Sequence, residues 1–156
     1  MMEISVQAVV EEAILYEHNL ASLYMIFSSS LSDDSDFWWG LSLSETQHAS
    51  LLKASQRLFD EEFARETLPA DLGLLRASNQ SLETTIDRFR NDPPQAEEAL
   101  RIALGLEEDT NETTLHELLD IDPAKPAKEI VDRIQREETS HREQILEYAA
   151  GKGLSL

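Results

Sequence analysis

Two tetrapeptides, Glu45-Thr46-Gln47-His48 and Glu138-Thr139-Ser140-His141, constrain the fold of this chain more than any other feature. Each places a carboxylate and an imidazole three positions apart. On an α-helix, residues with this spacing lie on one face, one turn apart. Each tetrapeptide can therefore aim an oxygen ligand and a nitrogen ligand at the same point. The sequence thus predicts helices that carry metal ligands.

Both tetrapeptides interrupt stripes that are otherwise apolar. Around the second one, a stripe with helical spacing consists of Ile130, Ile134, Glu138, His141, Ile145 and Tyr148. Glu45 and His48 interrupt the stripe of the earlier segment in the same way. Burying an unpaired carboxylate costs several kcal/mol. We therefore expect a cation to neutralise these acids.

Apolar periodicity predicts an all-α fold without strands in a single domain spanning residues 1–156. The helices are expected at about 3–29, 36–66, 94–119 and 126–149, with a crossover at 67–92 that includes a short helix over Ser81–Arg90. The short connections within each pair make the paired helices antiparallel neighbours. Two such hairpins joined by a long crossover form a four-helix bundle.

The other two long helices each offer a further carboxylate for burial. Glu17 lies on the face of Leu20 and Tyr24. Glu107 shares its face with small residues that leave room for ions, and its neighbour Glu108 is an alternative. With a rise of about 1.5 Å per residue, Glu17, Glu107 and the acids of both tetrapeptides fall near one level, halfway along the bundle.

Composition excludes several classes of protein and site. The formal net charge of −18 argues against binding to nucleic acid or anionic membranes, which require a basic surface. The sequence has no cysteine, which excludes disulfides, iron–sulfur clusters and thiolate zinc sites, and fits a cytoplasmic location. No apolar run approaches the roughly 20 residues that span a bilayer. We also expect no signal peptide.

The pattern resembles the ferritin-like superfamily, specifically its rubrerythrin-like branch. In this class one Glu from each of two helices joins a Glu-x-x-His from each of the other two. The seven-residue spacing of Glu17 and Tyr24 and the run Leu104–Thr110 also resemble that branch. Two features depart from it. The cysteine-ligated rubredoxin domain is absent, and Thr110 stands where rubrerythrins tend to carry an additional Glu.

The resemblance implies a dinuclear metal site. Glu45 and Glu138 would bridge two ions, Glu17 and Glu107 would be terminal ligands, and His48 and His141 would each bind one ion. Two divalent cations cancel the charge of four carboxylates. Iron is expected, with manganese or zinc as alternatives.

The same resemblance implies a homodimer with redox activity toward peroxide or oxygen, supplied with electrons by an external donor protein. Tyr24 would donate a hydrogen bond or an electron near the site, or it is simply a packed core tyrosine. Two alternatives for the whole protein are a ferroxidase or iron-storage and iron-handling protein, and a metal-binding bundle without catalysis.

Overall fold

A computed structural model describes residues 3–58, 67–69, 72–108 and 126–156, and most of these residues are helical. Five α-helices are described, and we number them α1 Val6–Ser30, α2 Ser35–Leu58, α3 Leu72–Asn91, α4 Ala96–Glu107 and α5 Pro126–Gly151. A single 3₁₀ turn at Ser32–Asp34 connects α1 to α2. The all-α prediction is confirmed. No helix in these ranges is long and apolar enough to cross a lipid bilayer.

Helix α1 begins three residues later than predicted, because Ser5 caps it. The side-chain oxygen of Ser5 accepts a hydrogen bond from the backbone N–H of Ala8 at 3.1 Å, so the helix begins at the next residue, Val6. The segment Glu3–Ser5, which ends at this cap residue, forms a short strand β1. It pairs in antiparallel register with β2, Thr67–Pro69, although the sequence predicted no strand.

The crossover contains a full helix rather than the short one predicted over Ser81–Arg90. Helix α3 packs along α1 with an apolar face that recurs at helical spacing, formed by Leu75, Leu82, Ile86 and Phe89. The buried side chain of Asn79 interrupts this face. Its amide donates to the backbone oxygen and to a carboxylate oxygen of Glu12, both at 3.0 Å. These hydrogen bonds hold α3 against α1, and the apolar pattern of the sequence did not indicate them.

Some expectations fall outside the described residues. They are the continuation of the second helix to residue 66, the continuation of the third helix to residue 119, and the position of Thr110. The predicted fourth helix, 126–149, closely matches α5, which extends to Gly151. Gly153 follows with φ +75°, a backbone conformation that glycine adopts without strain.

The apolar core is divided into two clusters along the helices. The first, which we call the Val10 cluster, consists of Val6, Val9, Val10, Ile14, Ala49, Leu52, Leu75 and Ile134. The second, the Phe27 cluster, is larger and contains the edge-to-face pair of Phe27 and Trp38, with ring centroids 4.8 Å apart. On α2 and α5, the buried side chains between the positions that belong to the two clusters include Glu45, His48, Glu138 and His141, and these form part of the layer described next.

Candidate metal centre

Six buried ionisable side chains from four helices meet between the two apolar clusters. They are Glu17 on α1, Glu45 and His48 on α2, Glu107 at the end of α4, and Glu138 and His141 on α5. None of the six is more than 7% exposed. The structure therefore brings together every residue that the sequence singled out as a metal ligand. Glu108, the alternative to Glu107, is exposed instead and forms an ion pair with Arg142 at 3.0 Å.

Potential ligand atoms from these side chains form two groups that could each hold a metal ion. One group is Glu17, Glu45, His48 and Glu138, and the other is Glu45, Glu107, Glu138 and His141. Within each group the ligand atoms lie within 4.8 Å of one another. Each group has one imidazole and one carboxylate of its own. The remaining two carboxylates, Glu45 and Glu138, belong to both groups.

The two shared carboxylates divide their oxygens between the imidazoles. His48 Nδ1 lies 3.0 Å from Glu45 Oε2 and 2.7 Å from Glu138 Oε1. His141 Nδ1 lies 3.1 Å from Glu45 Oε1 and 3.6 Å from Glu138 Oε2. Each shared carboxylate thus turns one oxygen to each side. This is the geometry of a carboxylate that bridges two neighbouring positive charges.

Burial and mutual repulsion set the protonation of the four acids. Burial raises the pKa of Glu17 well above its ordinary value, and the charge of Glu45 adds to the rise. Burial and the charge of Glu45 likewise raise the pKa of Glu107. Burial opposes ionisation of Glu45 and Glu138 as well, but contacts bring the pKa of each below its ordinary value. For Glu45 these are contacts with His141 and His48, and for Glu138 they are a contact with Glu107 and then contacts with both imidazoles. The two shared acids are therefore the ones held as carboxylates.

The imidazoles hold protons tightly in this arrangement. Burial alone would lower the pKa of His48, but contacts with Glu138 and Glu17 raise it far above its ordinary value. Burial would also lower the pKa of His141, whereas contacts with Glu107, Glu138 and Glu45 raise it to about 12. Positive charge is therefore strongly favoured within this cluster, whether protons or metal ions supply it.

Several polar atoms of the cluster form no well-aligned hydrogen bond. In the described part of the chain, seven buried side-chain polar atoms form no such bond, and six of them belong to this cluster: Glu17 Oε2, Glu45 Oε1, Glu107 Oε2, Glu138 Oε1 and Oε2, and His141 Nδ1. All of these except Glu107 Oε2 lie 2.7–3.8 Å from an oppositely charged partner within the cluster. Buried polar atoms are nearly always hydrogen-bonded, so each exception requires an explanation. Ligand bonds to cations satisfy such atoms directly. Carboxylate and imidazole together are the donors that iron, manganese and zinc accept.

Three neighbours orient the candidate ligands. Tyr24, which the sequence identified, is fully buried and donates its hydroxyl hydrogen bond to Glu107 Oε1 at 2.7 Å. The Nε2 atom of His48 lies 2.7 Å from Glu137 Oε2, and the Nε2 atom of His141 lies 2.7 Å from Ser44 Oγ.

Sequence reasoning did not identify Glu137 and Ser44. A usable signal existed, because each of them immediately precedes the glutamate of a Glu-x-x-His tetrapeptide. Each contacts the histidine of the opposite tetrapeptide, a relationship that only the packing of α2 against α5 creates.

Comparisons with models of protein families, with curated proteins and with solved structures gave no match to this chain.

Proposed function

We propose that these six side chains bind two divalent metal ions, most suitably iron, and that the protein reduces peroxide or dioxygen at this dinuclear site. The observation that carries the proposal is the division of oxygens by Glu45 and Glu138. Each directs one oxygen to the His48 side and the other to the His141 side. A site for one ion does not need carboxylates that direct one oxygen to each of two positions, whereas two adjacent ions can share such carboxylates as bridging ligands.

Charge balance supports the number of ions. Four carboxylates and two neutral imidazoles carry a formal charge of −4 within a layer that is almost completely buried. Desolvating several uncompensated charges together is strongly unfavourable. Two divalent cations make the layer neutral.

The arrangement of helices supports a ferritin-like bundle of α1, α2, α4 and α5, with α3 as the crossover. Helix α1 packs on α2, α2 on α5, and α4 on α5. Each hairpin contributes one lone glutamate and one Glu-x-x-His, as in the ferritin-like di-iron carboxylate proteins. The resemblance proposed from the sequence involves these same residues.

When bound, two ferrous ions would supply the two electrons that, with two protons, convert hydrogen peroxide to two water molecules. The protein's own residues prepare this site. Tyr24 fixes the orientation of the Glu107 carboxylate through its hydroxyl. Burial, followed by the charge of Glu107, raises the pKa of Tyr24 well above its ordinary value, so the hydroxyl keeps its proton. The apolar clusters on both sides keep bulk water away. Repeated turnover requires an external electron donor protein.

The test is metal loading followed by single-turnover oxidation. Protein loaded anaerobically with ferrous ion is expected to hold two ions per chain by elemental analysis and to oxidise rapidly with stoichiometric peroxide in stopped-flow absorbance. Glu45→Gln should abolish both properties. Glu143→Gln is the matched control, because Glu143 is an exposed acid on α5.

Three results would overturn the proposal or its redox part. No stoichiometric metal in the wild-type protein would refute the site. Two bound ions that oxidise with neither peroxide nor dioxygen would leave a structural metal bundle. Oxidation in a large hollow assembly, detected by light scattering, would favour iron storage over peroxide reduction.

A further inference from the structure

The two halves of the candidate site differ in what lies behind each imidazole. On the His48 side the atom behind the ring is a carboxylate oxygen of Glu137, 2.7 Å from Nε2. On the His141 side it is the hydroxyl oxygen of Ser44, also 2.7 Å from Nε2. Both supporting residues stand at the same place, one residue before a shared glutamate. The pseudo-symmetry of the two tetrapeptides is therefore broken at this position.

The carboxylate of Glu137 is held in place from both ends. Its Oε2 atom contacts His48, and its Oε1 atom accepts a hydrogen bond from Arg133 Nε at 3.1 Å. An ionised carboxylate can only accept, so Nε2 of His48 must carry the proton. Once a cation displaces the proton on Nδ1, the lone pair of this atom is directed to that cation, on the side of the ring where Glu17, Glu45 and Glu138 lie. The hydroxyl of Ser44 can donate or accept, so it does not fix the tautomer of His141 in this way.

Glu17 and Glu107, which each belong to only one group, also differ in how strongly they should bind a cation, and again the difference favours the His48 side. Tyr24 donates a hydrogen bond to Glu107 Oε1 at 2.7 Å, which draws electron density away from that carboxylate. Glu107 belongs to the His141 group, whereas Glu17 belongs to the His48 group. A carboxylate behind a ligating histidine strengthens its donor nitrogen, and such partners typically change metal affinity by about 10- to 100-fold. Both differences therefore favour the His48 group.

We propose that the two metal positions are unequal and fill in order: a divalent cation binds first with Glu17, Glu45, His48 and Glu138, and the second then binds beside Glu107 and His141. Glu137 is the positioning residue that sets this order. The inference rests on the proposed dinuclear site. It adds to that site a sequence of loading and the residue responsible for it.

The direct test follows each histidine ring by nitrogen-15 NMR during titration of metal-free protein with Zn²⁺. The resonances of His48 should change during the first equivalent and those of His141 during the second. In Glu137→Gln the amide cannot supply the negative charge, and the two sets should change together. Isothermal titration calorimetry on that variant should show the tighter step weakened by about 10- to 100-fold.

Two further variants make the test specific. Glu143→Gln removes the same charge from an exposed position on the same helix and should leave the order and both affinities unchanged. Ser44→Asp places a carboxylate behind His141 and should tighten the second step. An order with His141 first, or simultaneous filling in the wild-type protein, would refute the inference while leaving the dinuclear site intact. Wild-type protein that binds fewer than two ions would refute the proposed function itself.

Discussion

The imidazole rings of His48 and His141 lie nearly parallel, with centroids 5.4 Å apart and planes inclined by 22°. They come from α2 and α5 and are 93 positions apart in the chain, yet both direct Nδ1 to the same two carboxylates. Two parallel rings that share their acidic partners define two adjacent positions for positive charge.

Replacing a shared carboxylate should lower the number of metal ions bound per chain more than replacing a terminal one does. Glu138→Gln removes the negative charge that both groups share and replaces one of the two oxygens with an NH2 group that cannot bind a cation, so we expect it to abolish stoichiometric binding at both positions. Glu17→Gln changes one group only and should leave about one ion per chain, because the Glu107 and His141 side keeps its ligands. Elemental analysis after gel filtration measures both. Equal losses in the two variants would contradict the assignment of Glu138 as a shared ligand.

Metal affinity should rise with pH across the neutral range. The raised pKa values of His48 and His141 mean that both rings are protonated in the metal-free protein at neutral pH. A cation must displace these protons, and raising the pH weakens their competition. We expect about a tenfold gain in apparent affinity per pH unit for each proton released.

Calorimetry in buffers with different ionisation enthalpies counts those protons directly. A binding constant that stays flat between pH 6 and pH 8, with no proton release, would show that the rings are already neutral before the metal binds. The Glu143→Gln variant should follow the wild-type curve.

The hydrogen bond between Tyr24 and Glu107 should be measurable as a coupling energy. A hydrogen bond typically contributes about 0.5–1.5 kcal/mol to stability, and this one is buried. A double-mutant cycle with Tyr24→Phe and Glu107→Gln in metal-free protein, followed by urea unfolding, isolates the pair. We expect a coupling energy of about 1 kcal/mol or more. Additive effects of the two substitutions would show that the contact contributes nothing to stability.

Ligand substitution should separate metal-dependent stability from intrinsic stability. Burial and the charge of Glu45 raise the pKa of Glu17, so its carboxyl tends to be protonated without metal, and Gln resembles that form. Glu17→Gln should therefore leave the melting temperature of metal-free protein unchanged or raise it.

With metal present the same variant should gain less than the wild-type protein. Binding at 100 times the dissociation constant adds about 2.7 kcal/mol for one site. Differential scanning fluorimetry with and without a chelator compares the two. A large destabilisation of the metal-free variant would indicate that Glu17 stabilises the fold rather than the metal.

A buried acid at the far end of the helices should matter for stability alone. Asp34 accepts a hydrogen bond from the Tyr148 hydroxyl at 2.6 Å and forms an ion pair with Lys152, so it ties the α1–α2 connection to the end of α5. Asp34→Ala leaves both partners without their acceptor, and we expect a loss of about 1–3 kcal/mol in urea unfolding. Asp33→Ala, a change at the exposed neighbour, should cost far less. Metal binding should survive both substitutions.

The site residues were predictable from sequence because their signal is local. A carboxylate and an imidazole at helical spacing, interrupting an apolar stripe, identified α2 and α5 before any packing was known. The choice between Glu107 and Glu108 was left open, because adjacent residues on one helix differ by only about 100° of rotation. Packing resolves it, since Glu107 is buried while Glu108 pairs with Arg142.

What the sequence missed depends on contacts between distant segments. The apolar spacing of Leu75, Leu82 and Ile86 existed in the pattern of α3, but the polar residues between them obscured it. The pairing of Glu3–Ser5 with Thr67–Pro69 has no local signature, because each strand is three residues long. The support of His48 by Glu137 likewise requires knowing that α5 lies beside α2.

The polar layer between the Val10 and Phe27 clusters also governs how the helices align. If α5 slid by one turn along α2, about 5.4 Å, Glu138 would meet hydrocarbon and Ile134 or Ile145, depending on the direction, would face the remaining acids. Such misaligned packings are penalised heavily, although an uninterrupted apolar seam would tolerate many of them. The buried acids thus disfavour misaligned packing of the helices, and the chain can adopt its helix register before any cation binds.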